Sequence, residues 1–181
     1  MSFCKNIAVF CGSSVGTDPK YAKAAKELGT LIGHQGRALV FGGCLDGLMA
    51  ELAWAARNSG ASVYSEFIRD LYDASPRLPD SVETLHDNVG DRKRGLIARS
   101  DACIMLPGGM GTLDEFSDVC AAVQLGEASC KVGILNIAGY YDSLLAFFAG
   151  MRKEGFLAPK WDHLFVTATE PESLLRTLDN L

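Results

Sequence analysis

The stretch Leu106-Pro-Gly-Gly-Met-Gly-Thr-Leu-Asp-Glu-Phe116 decides the fold that this sequence predicts. It follows a short run, Asp101–Met105, that is typical of a buried strand, and it leads into a pattern that predicts an amphipathic helix from about Thr112 to Gly126. Three glycines between a strand and a helix let the backbone approach a ligand closely. Since the N–H groups at the start of a helix favour an anion, the stretch predicts an anion-binding loop.

Glu115 in this stretch has two interpretations. Thr112 and Glu115 show the spacing of a capping box, in which the threonine caps the helix and the glutamate at the third helical position reaches back to the cap. Alternatively, Glu115 is a carboxylate placed beside a bound phosphate, which favours a chemical role. The spacing alone leaves both interpretations open.

Composition and charge limit the class of protein. A chain of 181 residues with 48% hydrophobic and 22% charged residues predicts one globular domain over residues 1–181. The net charge of −5 argues against binding to a nucleic acid polymer, because such binding needs a basic surface. A phosphate ligand must then be held in a local pocket.

The cysteines and the hydropathy pattern indicate a cytoplasmic protein. The six cysteines contain no C-x-x-C pair and no spacing typical of a metal site, so we expect free thiols in a reducing compartment. No apolar stretch is long enough to span a membrane, and no signal peptide pattern opens the chain. We therefore expect no metal and no contact with a membrane.

Strand and helix patterns alternate along the whole chain and predict a doubly wound, mostly parallel, Rossmann-like α/β sheet of about seven strands. The segment 67–81 is read as a loop with a possible short helix. Strands are predicted at Asn6–Cys11, Ala38–Phe41, from Ala61, at Val82–His86, Asp101–Leu106, Lys131–Ile137 and His163–Thr167. Helices are predicted from Asp18-Pro19 to about Gly36, and over residues 48–56, 89–99, 112–126, 140–154 and from Pro171 onward.

Three loops rich in glycine or serine follow predicted strands: Gly12–Ser14, Gly42–Gly47 and Gly108–Gly111. In an open parallel sheet, ligands bind beyond the carboxyl ends of the strands, so these loops are expected to meet there. None of them carries the G-x-G-x-x-G dinucleotide pattern or a Walker A lysine. A mononucleotide-sized ligand fits this set of loops better.

A second informative segment precedes the glycine stretch. Read as a helix, residues 89–99 place the charged Arg92 and Lys93 on its apolar stripe, where charged side chains need a partner. Spacing alone does not separate a structural ion pair from a ligand contact. The apolar members of the stripe are Val89, Leu96 and Ile97.

A basic pair, glycine loops and a carboxylate at a helix start suit one class of ligand. The basic side chains would hold a phosphate, and arginine does so with two parallel hydrogen bonds. A carboxylate near a ribose C1′ can stabilise an oxocarbenium ion, attack it, or activate a water molecule.

The chain resembles the Lonely Guy family of cytokinin riboside 5′-monophosphate phosphoribohydrolases, often labelled lysine decarboxylases. The resemblance covers nearly the whole chain. The segments that carry it are Val9–Ser14, Phe41–Gly43, Gly47–Met49, Arg92-Lys93, Leu106–Glu115, Gln124–Gly126 and Gly139–Leu145.

The resemblance implies hydrolysis of the N-glycosidic bond of an N6-modified adenosine monophosphate, by a homodimer or a higher homo-oligomer, without a cofactor. Its catalytic residues fall on Arg92 and Glu115. The chain shows no context for a pyridoxal-binding lysine, so a decarboxylase is not supported. The predicted substrate-binding residues are Ser13, Gly43, Lys93, Gly108, Gly109, Gly111, Thr112 and Asp114.

The chain departs from the family around the expected base. Val89-Gly-Asp91 replaces the usual methionine–histidine pair, Cys44 stands where a glycine is usual, and Ala121 replaces a threonine. Residues 62–81 lack the usual strand end and substrate-contacting glutamate. Plain AMP or another purine monophosphate is therefore an alternative substrate. A non-catalytic nucleotide carrier and a ribosyl transferase are the alternative functions.

Overall fold

The computed structural model describes residues 3–181, so the first two residues of the predicted 1–181 domain lie outside the described residues. One sheet of seven parallel strands, in the order β4-β3-β2-β1-β5-β6-β7, runs through the described chain. This confirms the predicted fold class. The strands are β1 Asn6–Phe10, β2 Ala38–Phe41, β3 Ser62–Ile68, β4 Val82–His86, β5 Ala102–Met105, β6 Lys131–Leu135 and β7 Val166–Ala168.

Helices connect the strands and cover both faces of the sheet. The segment between β3 and β4 holds the possible short helix as α3, and 3-10 turns occur at Ile137–Gly139 and Pro159–Trp161. The α-helices are α1 Pro19–His34, α2 Gly47–Asn58, α3 Arg69–Tyr72, α4 Val89–Ala98, α5 Met110–Leu125, α6 Asp142–Lys153 and α7 Pro171–Asp179.

Two hydrophobic cores form because successive strand residues point to opposite faces. In β1, Ile7 and Val9 pack into the core beneath α1, α2 and α7. Ala8 and Phe10 pack into the core beneath α4, α5 and α6. Burial on both faces explains why the central strands are continuous apolar runs instead of alternating ones.

The strand order reverses between β1 and β5, and this position defines the candidate site. The chain leaves β1 toward α1 on one face of the sheet and leaves β5 toward α5 on the other. Such a reversal opens a crevice at the carboxyl ends of the strands. The loops that leave β1 and β5 are two of the three loops in which ligand-binding residues were predicted.

Of the two interpretations of Glu115, the capping box at the start of α5 is wrong. The helix begins at Met110, its N-cap is Gly109 in an extended conformation, and no side chain caps it. Thr112 is therefore already inside the first turn, where it is buried. Glu115 is directed to a partner on another helix, which removes the interpretation of this residue as a cap.

Several predicted boundaries also move. The third strand continues to Ile68, because it pairs with β4 beyond the end of β2. The last strand starts at Val166 and not at His163, since the 3-10 turn ahead of it continues into the hydrogen bond from Leu164 N–H to the Trp161 carbonyl. Val89, predicted on the buried stripe of α4, is 47% exposed, whereas Leu96 of that stripe is buried.

Candidate active site

The three glycine-rich loops meet at the carboxyl edge of the sheet, as the sequence predicts. Gly12 N–H donates to the Pro107 carbonyl at 3.0 Å, and Leu48 N–H donates to the Gly12 carbonyl at 3.0 Å. A Cβ on Gly47 would lie only 2.3 Å from the backbone nitrogen of Ser14. These close backbone approaches join the loops after β1, β2 and β5 into one surface.

A cavity of about 240 Å³ opens between the first and third loops. Predicted binding residues Ser13, Gly108 and Gly109 lie in its wall. The volume is somewhat below the roughly 300–1,000 Å³ of typical small-molecule sites, so the cavity fits part of a nucleotide. The other lining residues are Gly12, Ser14, Val15, Gly16, Tyr21, Leu48, Pro107 and Tyr140.

The cavity is suited to an anion through its backbone. Among residues 3–181, those that line it include no lysine or arginine. Its floor continues into α5, whose first turn has neither a side-chain cap nor an acidic residue. The first N–H groups of a helix have no acceptor within the helix, and the helix dipole adds positive charge there. A phosphate placed on Gly108 and Gly109 would therefore be held by N–H groups.

Arg92 and Glu115, the two predicted catalytic residues, are in direct contact. Arg92 Nη2 donates to Glu115 Oε1 at 2.6 Å, and their side chains are only 18% and 12% exposed. Arg92 comes from the first turns of α4 and Glu115 from the second turn of α5, so the contact bridges two helices. Arg92 Nε is also buried and has no hydrogen-bond partner within residues 3–181.

Two opposing effects set the protonation of Glu115. Burial raises the pKa of Glu115, because a charged carboxylate loses its hydration, and the Arg92 guanidinium lowers the same pKa. Asp114 raises it further, and Lys93 lowers it. The net pKa lies above the usual value of a glutamate. A carboxyl group with a raised pKa is suited to take up and release a proton during a reaction.

Gly42 of the second loop makes room for the arginine. A Cβ on Gly42 would lie 2.8 Å from Arg92 Nη1, closer than a side chain permits. Sequence reasoning singled out the neighbouring Gly43 for the substrate, but a Cβ on Gly43 would point into the Phe67 ring at 2.7 Å. The glycine run after β2 thus accommodates both Arg92 and Phe67.

Lys93 and Asp114, both predicted to bind substrate, contact each other. Lys93 Nζ lies 3.0 Å from Asp114 Oδ2 and 3.6 Å from Asp118 Oδ1. Burial lowers the pKa of Lys93, but the hydrogen bond to Asp114 and the charge of Asp118 outweigh it, so the net pKa is raised. Lys93 is a charged link between α4 and α5, which suits an ion pair and not the neutral amine that Schiff-base chemistry needs.

Thr112 and two tyrosines support the glycine loop from below. A Cβ on Gly108 would lie 2.2 Å from Thr112 Oγ1, so Thr112 packs directly against the loop. Tyr140 donates its hydroxyl to the Gly108 carbonyl and Tyr141 donates to the Leu106 carbonyl, each at 2.7 Å. Gly139-Tyr-Tyr-Asp142 belonged to the family resemblance, but no sequence pattern assigned these hydroxyls to the loop.

A larger cavity of about 530 Å³ lies elsewhere, between α4 and α5. Ser100 and Cys130 in its wall lie within two residues of the amino ends of β5 and β6, which is the edge of the sheet opposite the glycine loops. Neither Arg92 nor Glu115 lines it. Volume alone therefore does not identify the candidate site, and the converging loops do.

Within residues 3–181, no group of three or more His, Cys, Asp or Glu side chains is arranged to hold a metal ion. No helix in that range is long and apolar enough to cross a membrane.

Comparisons with known proteins identify the family of this chain. Residues 47–178 match a family model described as possible lysine decarboxylase. The chain is 40% identical over 177 residues to the rice protein named probable cytokinin riboside 5′-monophosphate phosphoribohydrolase LOGL9, covering 97% of this chain and 78% of that protein. The chain belongs to the family of this model and of the cytokinin riboside 5′-monophosphate phosphoribohydrolases. The phosphoribohydrolase LOG1 of Arabidopsis thaliana is 38% identical over 178 residues, covering 97% of this chain and 83% of that protein.

Solved structures share the fold of this phosphoribohydrolase family member at lower identity. The molybdenum cofactor carrier protein of Chlamydomonas reinhardtii superposes with a TM-score of 0.72 at 19% identity, covering 97% and 96% of the two chains. The molybdenum cofactor binding protein of Rippkaea orientalis superposes with a TM-score of 0.69 at 21% identity, covering 97% and 95%. Both likenesses concern the fold alone.

Proposed function

We propose that this chain hydrolyses the N-glycosidic bond of a nucleoside 5′-monophosphate, and releases a free base and ribose 5-phosphate. The observation that carries the proposal is the buried ion pair between Arg92 and Glu115 beside a glycine loop that can hold a phosphate. The names of the relatives, which are 38–40% identical over nearly the whole chain, support the same reaction.

Binding of the substrate would begin with its phosphate. The phosphate accepts hydrogen bonds from N–H groups of Gly109, Gly111 and the rest of the first turn of α5, with Ser13 on the opposite wall. Thr112 supports the loop from within the helix. The ribose then extends from this position toward the next turn of α5, which carries Glu115.

Glu115 would act on the anomeric carbon. As the C1′–N bond breaks, positive charge develops on the ribose, and the carboxylate stabilises it while water, or the carboxylate itself, attacks C1′. The leaving base takes up a proton, and the attacking water loses one. Arg92 keeps Glu115 oriented and favours its charged form, since its guanidinium lowers the pKa of that carboxyl.

The test is a release assay for ribose 5-phosphate over isopentenyladenosine monophosphate, AMP, GMP and CMP. We expect turnover of at least one adenine nucleotide by the wild type and a loss of about 10²-fold or more in Glu115→Gln. Glu51→Gln is the matched control, because Glu51 on α2 pairs with Lys26 away from the site and its change keeps the same chemistry.

The panel separates the remaining alternatives. Preference for the isopentenyl compound assigns cytokinin activation, whereas turnover of AMP alone assigns general purine-monophosphate hydrolysis. Transfer of the ribosyl group to an added base in place of water identifies a ribosyl transferase. Binding of AMP by the wild type without any release contradicts the proposal and supports a nucleotide carrier.

We further propose that the protein acts as a homodimer or higher homo-oligomer in the cytoplasm. Met110 and Leu125 at the two ends of α5 are 79% and 73% exposed, and an interface between copies of the chain would withdraw both from water. The free cysteines, most of them buried, suit a reducing compartment. Sedimentation analysis and localisation of a tagged chain test the two statements.

A further inference from the structure

A buried charged cluster lies behind the candidate site and takes no part in the mechanism above. Glu66, near the end of β3, is 1% exposed, and its carboxylate is held on both sides. His86 Nε2 lies 2.6 Å from Glu66 Oε2, and Arg99 Nε donates to Glu66 Oε1 at 2.7 Å. Arg99 also stacks on the Tyr64 ring, with 4.7 Å between the guanidinium and the ring centroid. A carboxylate so fully buried is costly, so its partners indicate a specific role.

This cluster joins α4 to the sheet. Arg99 is the C-cap of α4, and His86 ends β4. Gly95 lies against the cluster: a Cβ there would be 2.7 Å from His86 Cε1 and 3.1 Å from Glu66 Oε2. Helix and strands therefore approach more closely than any residue with a side chain at position 95 would allow.

Arg92 lies on the same face of the same helix. Residues three and seven positions apart share a helical face, so Arg92, Gly95 and Arg99 form one line along α4. Among the ten described residues of α4, Leu96 alone is buried. Leu96 anchors α4 in the hydrophobic core, and the hydrogen bond from Arg99 to Glu66 joins the C-terminal end of the helix to the sheet.

We propose that Glu66, His86 and Arg99 are positioning residues that hold α4 against the sheet in the position where Arg92 contacts Glu115. They act through the helix and touch no substrate. The inference rests on the proposed function for its catalytic consequence. Its structural consequence, the position of Arg92 relative to Glu115, is independent of any activity.

The kinetic test compares Glu66→Gln, Glu66→Ala and Gly95→Ala. A displacement of about 1 Å of a catalytic group can cost up to roughly 10²-fold in rate, so we expect kcat to fall by about tenfold or more in Glu66→Ala while KM stays within about twofold. The isosteric Glu66→Gln should recover part of the loss. Gly150→Ala is the control, because a Cβ at this position in α6 meets nothing within 4 Å.

A second arm introduces a steric clash between α4 and His86, and then relieves it, while Glu66 stays in place. In Gly95→Ala the new methyl group displaces α4 from His86. His86→Ala alone should lower kcat, because it removes a positioning residue, whereas in the Gly95→Ala background it relieves the clash and should restore part of the lost kcat. An unchanged kcat in both Glu66→Ala and Gly95→Ala, in folded protein, would overturn the proposal. Equal losses in the single and double variants at position 95 would also count against it.

A third arm distinguishes failure of this inference from failure of the proposed function. The coupling between Arg92 and Glu115 is measured by a double-mutant cycle of urea unfolding, in the wild type and in the Glu66→Ala background. We expect the coupling to be reduced or lost in that background. A coupling that persists there disproves the positioning role, even if no nucleotide is hydrolysed; a reduced coupling without hydrolysis leaves only the proposed function contradicted.

Discussion

Arg92 and Glu115 show how one contact adjusts a reactive group. The carboxylate is withdrawn from water, which raises its pKa, and the guanidinium 2.6 Å away counteracts that effect. The outcome is a glutamate that is oriented by Arg92 and whose pKa lies above the usual value. Both side chains are needed, because neither burial nor pairing alone produces this balance.

For this single contact, we expect Arg92→Gln to raise the pKa of Glu115. The change removes the charge that lowers this pKa and leaves the effect of burial in place. The measurement is a carbon NMR titration of the glutamate carboxyl group, which does not depend on turnover. In any variant that retains activity, the acid limb of the rate profile should move to higher pH, since the charged carboxylate is needed.

Arg92→Lys is the matched comparison. It keeps a positive charge, so the pKa of Glu115 should change less than in Arg92→Gln. Its single ammonium group cannot reproduce the planar fork, so activity should still be lost. An unchanged or lowered pKa in Arg92→Gln would contradict this account of the pair.

The start of α5 is the element on which the site depends. Its N-cap is a glycine, no side chain caps it, and Thr112 of its first turn lies against Gly108. With a glycine in place of a capping side chain the helix loses only about a few tenths of a kcal/mol, and its N–H groups stay free for a ligand.

Two glycines of this element should respond differently to alanine. A Cβ on Gly108 would lie 2.2 Å from Thr112 Oγ1 and 2.9 Å from Gly12 N, whereas a Cβ on Gly111 meets nothing within 4 Å. We expect Gly108→Ala to lower the free energy of unfolding by about 1–3 kcal/mol. Gly111→Ala should raise it by about 0.4–1 kcal/mol, because it reduces the entropy of the unfolded chain.

Urea unfolding of the purified variants measures both effects. Similar values for the two substitutions would show that the loop is not packed as tightly as its distances indicate.

On the scale of the whole molecule, Arg37 links the two ends of the described chain, because it contacts both Cys4 and Asp179. Arg37, directly before β2, is 3% exposed in its side chain and pairs with Asp179 at the end of α7 at 2.6 Å. The same guanidinium donates to the Cys4 carbonyl at 2.7 Å. The hydrogen bonds from Arg37 lower the pKa of Asp179, although partial burial opposes them. The pair therefore contributes to stability.

We expect Asp179→Asn to lower the free energy of unfolding by about 2–3 kcal/mol at neutral pH, as for a hydrogen bond between charged groups. Because the folded pKa of Asp179 lies below the unfolded value of about 3.9, the contribution of the wild type is complete above that value. It is lost as the pH falls through the lower, folded pKa. Thermal unfolding between pH 2.5 and 7 measures this difference.

The exposed pair of Arg57 with Asp80 is the control. Asp80 is 81% exposed in its side chain, so Asp80→Asn should cost at most about 1 kcal/mol. Equal costs at Asp80 and Asp179 would contradict the role given to burial. A single cooperative transition in the same experiment would also support the prediction of one domain over residues 1–181.

The sequence by itself predicted the parallel α/β architecture and identified Arg92 and Glu115 as the candidate catalytic residues. Apolar runs at Asn6–Phe10 and Ala102–Met105, each followed by glycines, are local signals that survive folding because a strand buried on both faces must be apolar throughout. Convergence of their loops follows from the geometry of parallel sheets. Arg92 and Glu115 were singled out, and the structure brings them together; their catalytic roles stay predictions.

Only the tertiary structure decided which partner each charged residue takes. Glu115 has the spacing of a cap, but Arg92 on another helix lies 2.6 Å from it, and that contact replaced the local one. Lys93 pairs with Asp114, and Glu66 is enclosed by residues from β4 and the end of α4. Such contacts depend on the packing of helices onto the sheet at ångström precision, because charge interactions in a buried setting change steeply with distance and exposure.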